Sequence, residues 1–207
     1  MRGSFILIEG CDRSGKTTQV AELVSRLKEM GQNVTSLSFP NRSTDIGQVI
    51  NAYLQQNINL SLQTSHLLFS ANRWESSTAL CDLLEAGTIV VMDRYVYSGL
   101  AFSIAQGLDP EWAKMPDRGL PKPDLIIYLN ANLDLLAQRG GYGLERYENR
   151  QLQERVAEAY RSVLSEVKTK CVVVDAAEES RSVASKILTT VLSKIDLYTK
   201  NPILRIE

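Results

Sequence analysis

The residues best placed to do chemistry lie near the start of the chain, in Gly10-Cys-Asp-Arg-Ser-Gly15-Lys16-Thr17-Thr18. The spacing is G-x-x-x-x-G-K-[ST], in which glycines let backbone N–H groups turn inward around an anion at the positive end of a helix. Such a nest binds phosphate. Lys16 would reach the β and γ phosphates of a nucleoside triphosphate, and the Thr17 hydroxyl would take a coordination site on Mg²⁺. The competing reading is a flexible glycine turn with a surface lysine, and it does not require the apolar run before the loop or the helical pattern after it. A second signal is Asp93-Arg94-Tyr95, at the end of an apolar run. An acid there lies across from a nucleotide's metal ion, although Asp is also a favoured helix N-cap. Arg94 suits bidentate contact with phosphate oxygens, or a structural salt bridge.

Two further stretches supply a cavity. Phe39-Pro-Asn-Arg42 follows a strand pattern, at the edge where α/β sheets collect ligands. Phe69, Asn72 and Arg73 are three or four apart in a helical pattern and so share one face. An aromatic plane beside an arginine fork suits a nucleobase, though an aromatic at helical spacing is more often core. His66 has no partner histidine and reads as a packing or capping residue. Gly140-Gly-Tyr-Gly143 with Arg146 and Glu148 reads either as a hinged lid over phosphates or as a plain connecting loop.

The elements that must position these residues alternate. Strand patterns occupy 5–10, 34–39, 88–93, 124–129 and 171–175; helical patterns occupy about 45–55, 62–85, 95–106, 132–139, 149–168 and 180–195, besides the helix opening at the loop. Strands separated by helices pair in parallel through crossovers, so the expected fold class is α/β, a doubly wound five-stranded parallel sheet with helices on both faces. The expected organisation is one domain over 1–207 with a short lid at about 139–149.

The chain has 207 residues and a formal net charge of −1, which disfavours a nucleic-acid backbone or an anionic membrane as its main partner. No run of eighteen apolar residues or signal-peptide pattern is present, so the expected location is cytoplasmic. Cys11, Cys81 and Cys171 are odd in number and far apart, which points to neither a disulfide framework nor a zinc site. An exposed thiol at Cys11 would make the loop sensitive to oxidation; a buried one is a small packing residue.

Taken together, the phosphate loop, Phe39-Pro-Asn-Arg42, Leu68-Phe-Ser-Ala-Asn-Arg73-Trp74, Asp93-Arg-Tyr95 with Ser98-Gly99, Gly119-Leu-Pro-Lys-Pro-Asp124 and Glu145-Arg-Tyr-Glu148 closely resemble the eukaryotic-type thymidylate kinase family over residues 5–175. The resemblance implies transfer of the γ-phosphoryl group of ATP to dTMP, with Mg²⁺ between the nucleotides. It implies that Lys16 and the loop residues Arg13, Ser14, Gly15, Thr17 and Thr18 hold ATP, that Arg139 lies near adenine, and that Thr17 and Asp93 serve the metal. Asp12 would receive the dTMP sugar hydroxyl and Arg42 and Arg94 its phosphate. Phe69 would stack on thymine, Arg73 would donate to its carbonyl edge, and Phe39, Tyr95, Gly99, Phe102 and Tyr147 would line the rest. Arg13, Lys16, Asp93 and Arg94 would be the catalytic set, and a homodimer is expected. Asn41, Cys11, Tyr142 and Leu144 depart from the family pattern. The alternatives are a kinase for another pyrimidine nucleoside monophosphate and a switch-type GTPase; the latter lacks its guanine-reading Asn-Lys-x-Asp element here.

Overall fold

The computed structural model describes residues 1–137 and 145–207. Five strands, β1 (Phe5–Gly10), β2 (Val34–Ser38), β3 (Ile89–Asp93), β4 (Leu125–Asn130) and β5 (Lys170–Asp175), form one parallel sheet in the order β2-β3-β1-β4-β5. β1 lies at the centre, with Ile6 opposite Val91 of β3 on one side and Leu125 of β4 on the other. Every residue of β1 and β3 is buried, as strands covered on both faces require.

Because successive side chains alternate, each strand feeds two cores. Phe5, Leu7, Val90, Met92, Ile126 and Tyr128 point to one face. There they meet α4 (Ser77–Glu85), α5 (Val96–Ala105) and α8 (Arg150–Ser165) through Leu84, Ala101 and Val156. Ile6, Ile8, Val91 and Ile127 point to the other, against α1 (Lys16–Glu29) and α9 (Ser180–Leu192) through Leu23 and Ile187. The doubly wound class is therefore the observed one.

The helical pattern over 62–85 is corrected to two helices, α3 (Leu62–Glu75) and α4, separated by Ser76. No glycine or proline breaks it. Tertiary packing does: α3 lies against α5 and α2 (Asp45–Leu54), whereas Leu80 and Leu84 of α4 enter the core beneath the sheet. A segment the periodicity missed, α6 (Pro110–Lys114) with a 3-10 turn (Met115–Asp117), carries sound start signals in the Asp109 side-chain cap and Pro110 at its first position. Of the pattern over 132–139, the structure describes α7 (Leu133–Ala137). After α10 (Ile195–Tyr198) the chain returns to the 119–122 stretch, with Lys122 N–H donating to Leu204 O at 2.8 Å and Ile206 N–H to Leu120 O at 2.9 Å. Among the described residues no helix is long and apolar enough to cross a membrane.

Candidate active site

At Gly10 the chain leaves β1 through a gap only glycine fits. Its φ is 154°, and a Cβ there would lie 2.7 Å from both Leu129 O and Ser14 Oγ. The loop closes at Gly15, with φ 93°, and α1 begins at Lys16 with no side chain capping its first N–H groups. Those donors, together with the positive end of the helix dipole, face an anion site. Lys16 is buried, and its Nζ donates to Cys11 O at 2.7 Å. Burial first, and then the nearby Arg94 guanidinium, lower its pKa to about 8. Cys11 is buried as well, and burial pushes its thiol up, so it is a packing group of the loop and not an exposed thiolate.

β3 lies beside β1, so its carboxyl end meets the loop. Thr17 Oγ1 donates to Asp93 Oδ2 at 2.6 Å, placing two hard oxygens at the mouth of the nest. Arg94 follows at φ 63°, in the left-handed region, and turns inward. It pairs with Asp12 Oδ1 and donates at 3.1 Å to both Gly10 O and Ser98 Oγ. Asp12 is held again from α8, where Gln153 Nε2 donates to Oδ2 at 2.7 Å and Gln153 Oε1 accepts the Asp12 N–H at 3.1 Å. Beneath them the buried Glu9 carboxylate accepts the backbone N–H groups of Tyr95 and Ser98, at 3.0 and 3.1 Å, and the Tyr160 hydroxyl at 2.8 Å. It therefore fixes the start of α5. Arg13 also has φ 63°, and its Nε donates to Glu148 Oε1 at 2.8 Å.

These groups form one end of a cavity of about 660 Å³. Asp12, Arg13, Gly15, Lys16, Thr17 and Thr18 line the loop end, with Asp93 and Arg94 beside them. Phe39, Arg42, Phe69 and Arg73 line the other end, joined by Gly99, Phe102 and Tyr147. Phe69 and Arg73 do face the same space. Asn72, assigned to their face, instead turns to the loop after β2, accepting the Asn41 N–H at 2.8 Å and donating to Thr44 Oγ1 at 3.0 Å. Arg73 is buried and forms an ion pair with Asp117 at 2.6 Å. Gly99 lets it pass, since a Cβ there would lie 2.9 Å from the Arg73 guanidinium. Tyr147 packs between Phe102 and Tyr53, at centroid distances of 5.3 and 6.0 Å. Arg42 is half-exposed and engages Glu145 through two nitrogens, at 2.8 and 3.1 Å.

The remaining candidates fall elsewhere. Ser14 is buried beneath the loop, where its Oγ lies 3.4 Å from Lys16 Nζ. Arg139 lies outside the described residues. Arg146 is turned away from the cavity: its guanidinium lies 4.3 Å from the Tyr53 ring centroid and donates to Tyr53 O and Ile58 O at 2.8 and 2.9 Å. His66 is on the wall and fully bonded, with Nε2 donating to Ala113 O at 2.9 Å and Nδ1 meeting Ser103 Oγ at 2.7 Å. Sequence reasoning passed over Glu9, Asp117 and Gln153. Glu9 sits within an otherwise apolar strand, Asp117 in a short turn and Gln153 on an amphipathic helix, and each finds its partner 44 or more positions away.

A loop built to wrap phosphate, an acid and a hydroxyl at its mouth, and an aromatic-and-arginine slot across the same cavity define a phosphate-loop enzyme with the nucleoside monophosphate kinase fold. The profile of the family described as "Thymidylate kinase" matches residues 8–187. The thymidylate kinase of Schizosaccharomyces pombe is 42% identical over 200 residues, covering 95% of this chain and 95% of its own. That of Arabidopsis thaliana is 44% identical over 199 residues, covering 96% of this chain and 74% of its own. A solved structure of thymidylate kinase from Candida albicans superposes with a TM-score of 0.87 at 36% identity, over 100% of this chain and 99% of that one. This chain belongs to the thymidylate kinase family.

Proposed function

We infer that this chain transfers the γ-phosphoryl group of ATP to dTMP, giving dTDP and ADP. The observation that carries the reading is the single cavity shared by the phosphate loop and the Phe69–Arg73 slot, in a chain of this family. Phosphoryl transfer needs little covalent chemistry from a protein; it needs two nucleotides in line and cations where charge accumulates. Lys16 and the loop amides hold the ATP phosphates, and those anions return to the buried ammonium the charge that burial disfavours. Thr17 and Asp93 present oxygens suited to Mg²⁺, an ion commonly held by one or two protein groups plus phosphates and water. When bound, it would neutralise phosphate charge. Asp12 takes the dTMP sugar hydroxyl, Arg94 and Arg42 its phosphate, and Phe69 and Arg73 its base. The exposed Arg42–Glu145 pair is cheap to exchange for phosphate, because surface ion pairs are worth about 0–1 kcal/mol. The chain acts as one kinase domain; the lid expected at about 139–149 lies largely outside the described residues.

A coupled ADP-release assay with ATP and Mg²⁺ across dTMP, dUMP, UMP, dCMP, dAMP and dGMP should prefer dTMP clearly. Equal turnover of all six would reject the base slot. In the same assay Arg73→Ala should raise KM for dTMP roughly ten- to a hundredfold, the cost of a lost charged hydrogen bond, and leave KM for ATP as it was. An equal rise in both would make Arg73 structural.

The proposed assembly is a homodimer. Leu67 and Trp74 lie seven residues apart on one face of α3, 47% and 41% exposed, and Met115 beside them is 54% exposed. An exposed apolar face of this kind suits a twofold mate. Light scattering at micromolar protein should give twice the chain mass of 23.1 kDa; a single-chain mass would exclude it.

A further inference from the structure

The Arg73 fork is held by Asp117 and flanked by Gly99, and the strongest hold comes from a residue with no assigned part in the reaction. Its Nε donates to Asp117 Oδ1 at 3.1 Å and its Nη2 to Asp117 Oδ2 at 2.6 Å, in a side-on bidentate pair whose side chains are only 3% and 2% exposed. That geometry uses two of the five guanidinium N–H groups. The remaining three belong to the outer end of the fork, which is the end left to meet a ligand. Gly99 lies close against the fork, where even a methyl group would come within 2.9 Å of Nη2 and 3.0 Å of Nη1.

Asp117 is itself fixed from the helix that carries Arg73. Ser70, one turn earlier on α3, donates to Asp117 Oδ1 at 2.7 Å and to Pro116 O at 3.1 Å. Trp74 Nε1 donates to Pro116 O at 2.8 Å. Three side chains of one helical face, at 70, 73 and 74, thus clamp the Met115–Asp117 turn. A guanidinium on a flexible stem would otherwise sample many rotamers, each presenting its donors differently.

We propose that Asp117 is a positioning residue for base selection: by fixing Arg73 it aims the fork's outer N–H groups at the edge of the acceptor base, so that a base with a carbonyl at that edge is favoured over one with an amino group. The proposal rests on the dTMP kinase reading given above. A carbonyl accepts the fixed donors, whereas the exocyclic amine of a cytosine sets donor against donor and leaves both unpaired. Discrimination of that kind depends on the donors staying where they are, because a mobile fork can turn away.

The test is steady-state kinetics of Asp117→Asn with dTMP and dCMP as acceptors, at saturating ATP and Mg²⁺. Asparagine keeps the shape and one acceptor, but its amide sets a donor against Nη2. KM for dTMP should rise about tenfold, the kcat/KM preference for dTMP over dCMP should narrow by a similar factor, and kcat with dTMP and KM for ATP should each stay within about twofold. In an Arg73→Ala background the same substitution should move KM for dTMP by less than about twofold, because Asp117 acts only through Arg73. An unchanged KM and preference, or an equal rise in both backgrounds, overturns the proposal. If Arg73→Ala alone leaves KM for dTMP unchanged, the base-slot reading itself falls, which is a separate result. Should Asp117→Asn not fold by circular dichroism, Ser70→Ala decides instead. Removing the hydroxyl that braces Oδ1 should raise KM for dTMP about threefold with ATP unaffected, and no change there equally overturns the proposal.

Discussion

Arg13→Gly should turn over about 10³-fold more slowly than the parent chain or worse, with little change in dTMP binding, the scale of losing an arginine that meets charge on the transferring phosphoryl group. Two arginines are candidates for that task, Arg13 in the loop and Arg146 in the segment expected from sequence to form a lid. Arg13 lies on the cavity wall within the loop that cradles phosphate, so its approach to the reacting atoms needs little ordering. Arg146 is already committed elsewhere, stacked on Tyr53 and bonded to Tyr53 O, Ile58 O and Asn59 Oδ1. Reaching the phosphates would break all of these at once. Arg146→Ala should accordingly lower thermal stability and slow turnover far less. Single-turnover rates for the two variants settle the matter, and a larger loss at Arg146 would reverse the assignment.

Lys16→Ala should fold and hardly react, losing about 10²- to 10³-fold in kcat, roughly 2.7–4 kcal/mol of transition-state stabilisation. Folding should survive because the ammonium is an awkward resident. Burial lowers its pKa to about 8, and its 2.7 Å acceptor is the uncharged loop carbonyl of Cys11. Removing it therefore relieves a buried charge even as it opens a small cavity. The measurement pairs circular dichroism and melting with turnover of ATP and dTMP. Near-normal turnover in a folded variant would sink the phosphate-loop assignment, whereas an unfolded variant would show that the lysine holds the loop together.

The loop and the sheet were the legible parts of this chain. A phosphate nest is built by neighbours in sequence, so its glycines, lysine and threonine stand together, and strands buried on both faces read as unbroken apolar runs. Partnerships between distant residues were not legible. Arg73 reads as a fork aimed at a base, and nothing near position 73 signals that Asp117 occupies one side of it. Asn72, by spacing, shares a face with Phe69 and Arg73, yet one residue's difference in helical angle sends it to the loop after β2. Arg146 was read with the lid because it follows the glycines, but a cation's neighbours in space decide its role, and here they are Tyr53 and two carbonyls. The break at Ser76 follows the same logic. Local propensity allows one long helix, and two separate packing surfaces demand two.

Both arginines nearest the loop, Arg13 and Arg94, hold a backbone conformation with φ 63°. For a residue with a Cβ this costs about 1–2 kcal/mol, a cost glycine avoids. The ion pair from Arg13 to Glu148, whose carboxylate is buried, works against that cost. Glycine at position 13 would therefore trade relief of backbone strain against loss of that pair, so melting and turnover report different things there. Screens for durable variants of this chain need an activity gate at every round, because a variant at this position can keep its fold and lose its reaction.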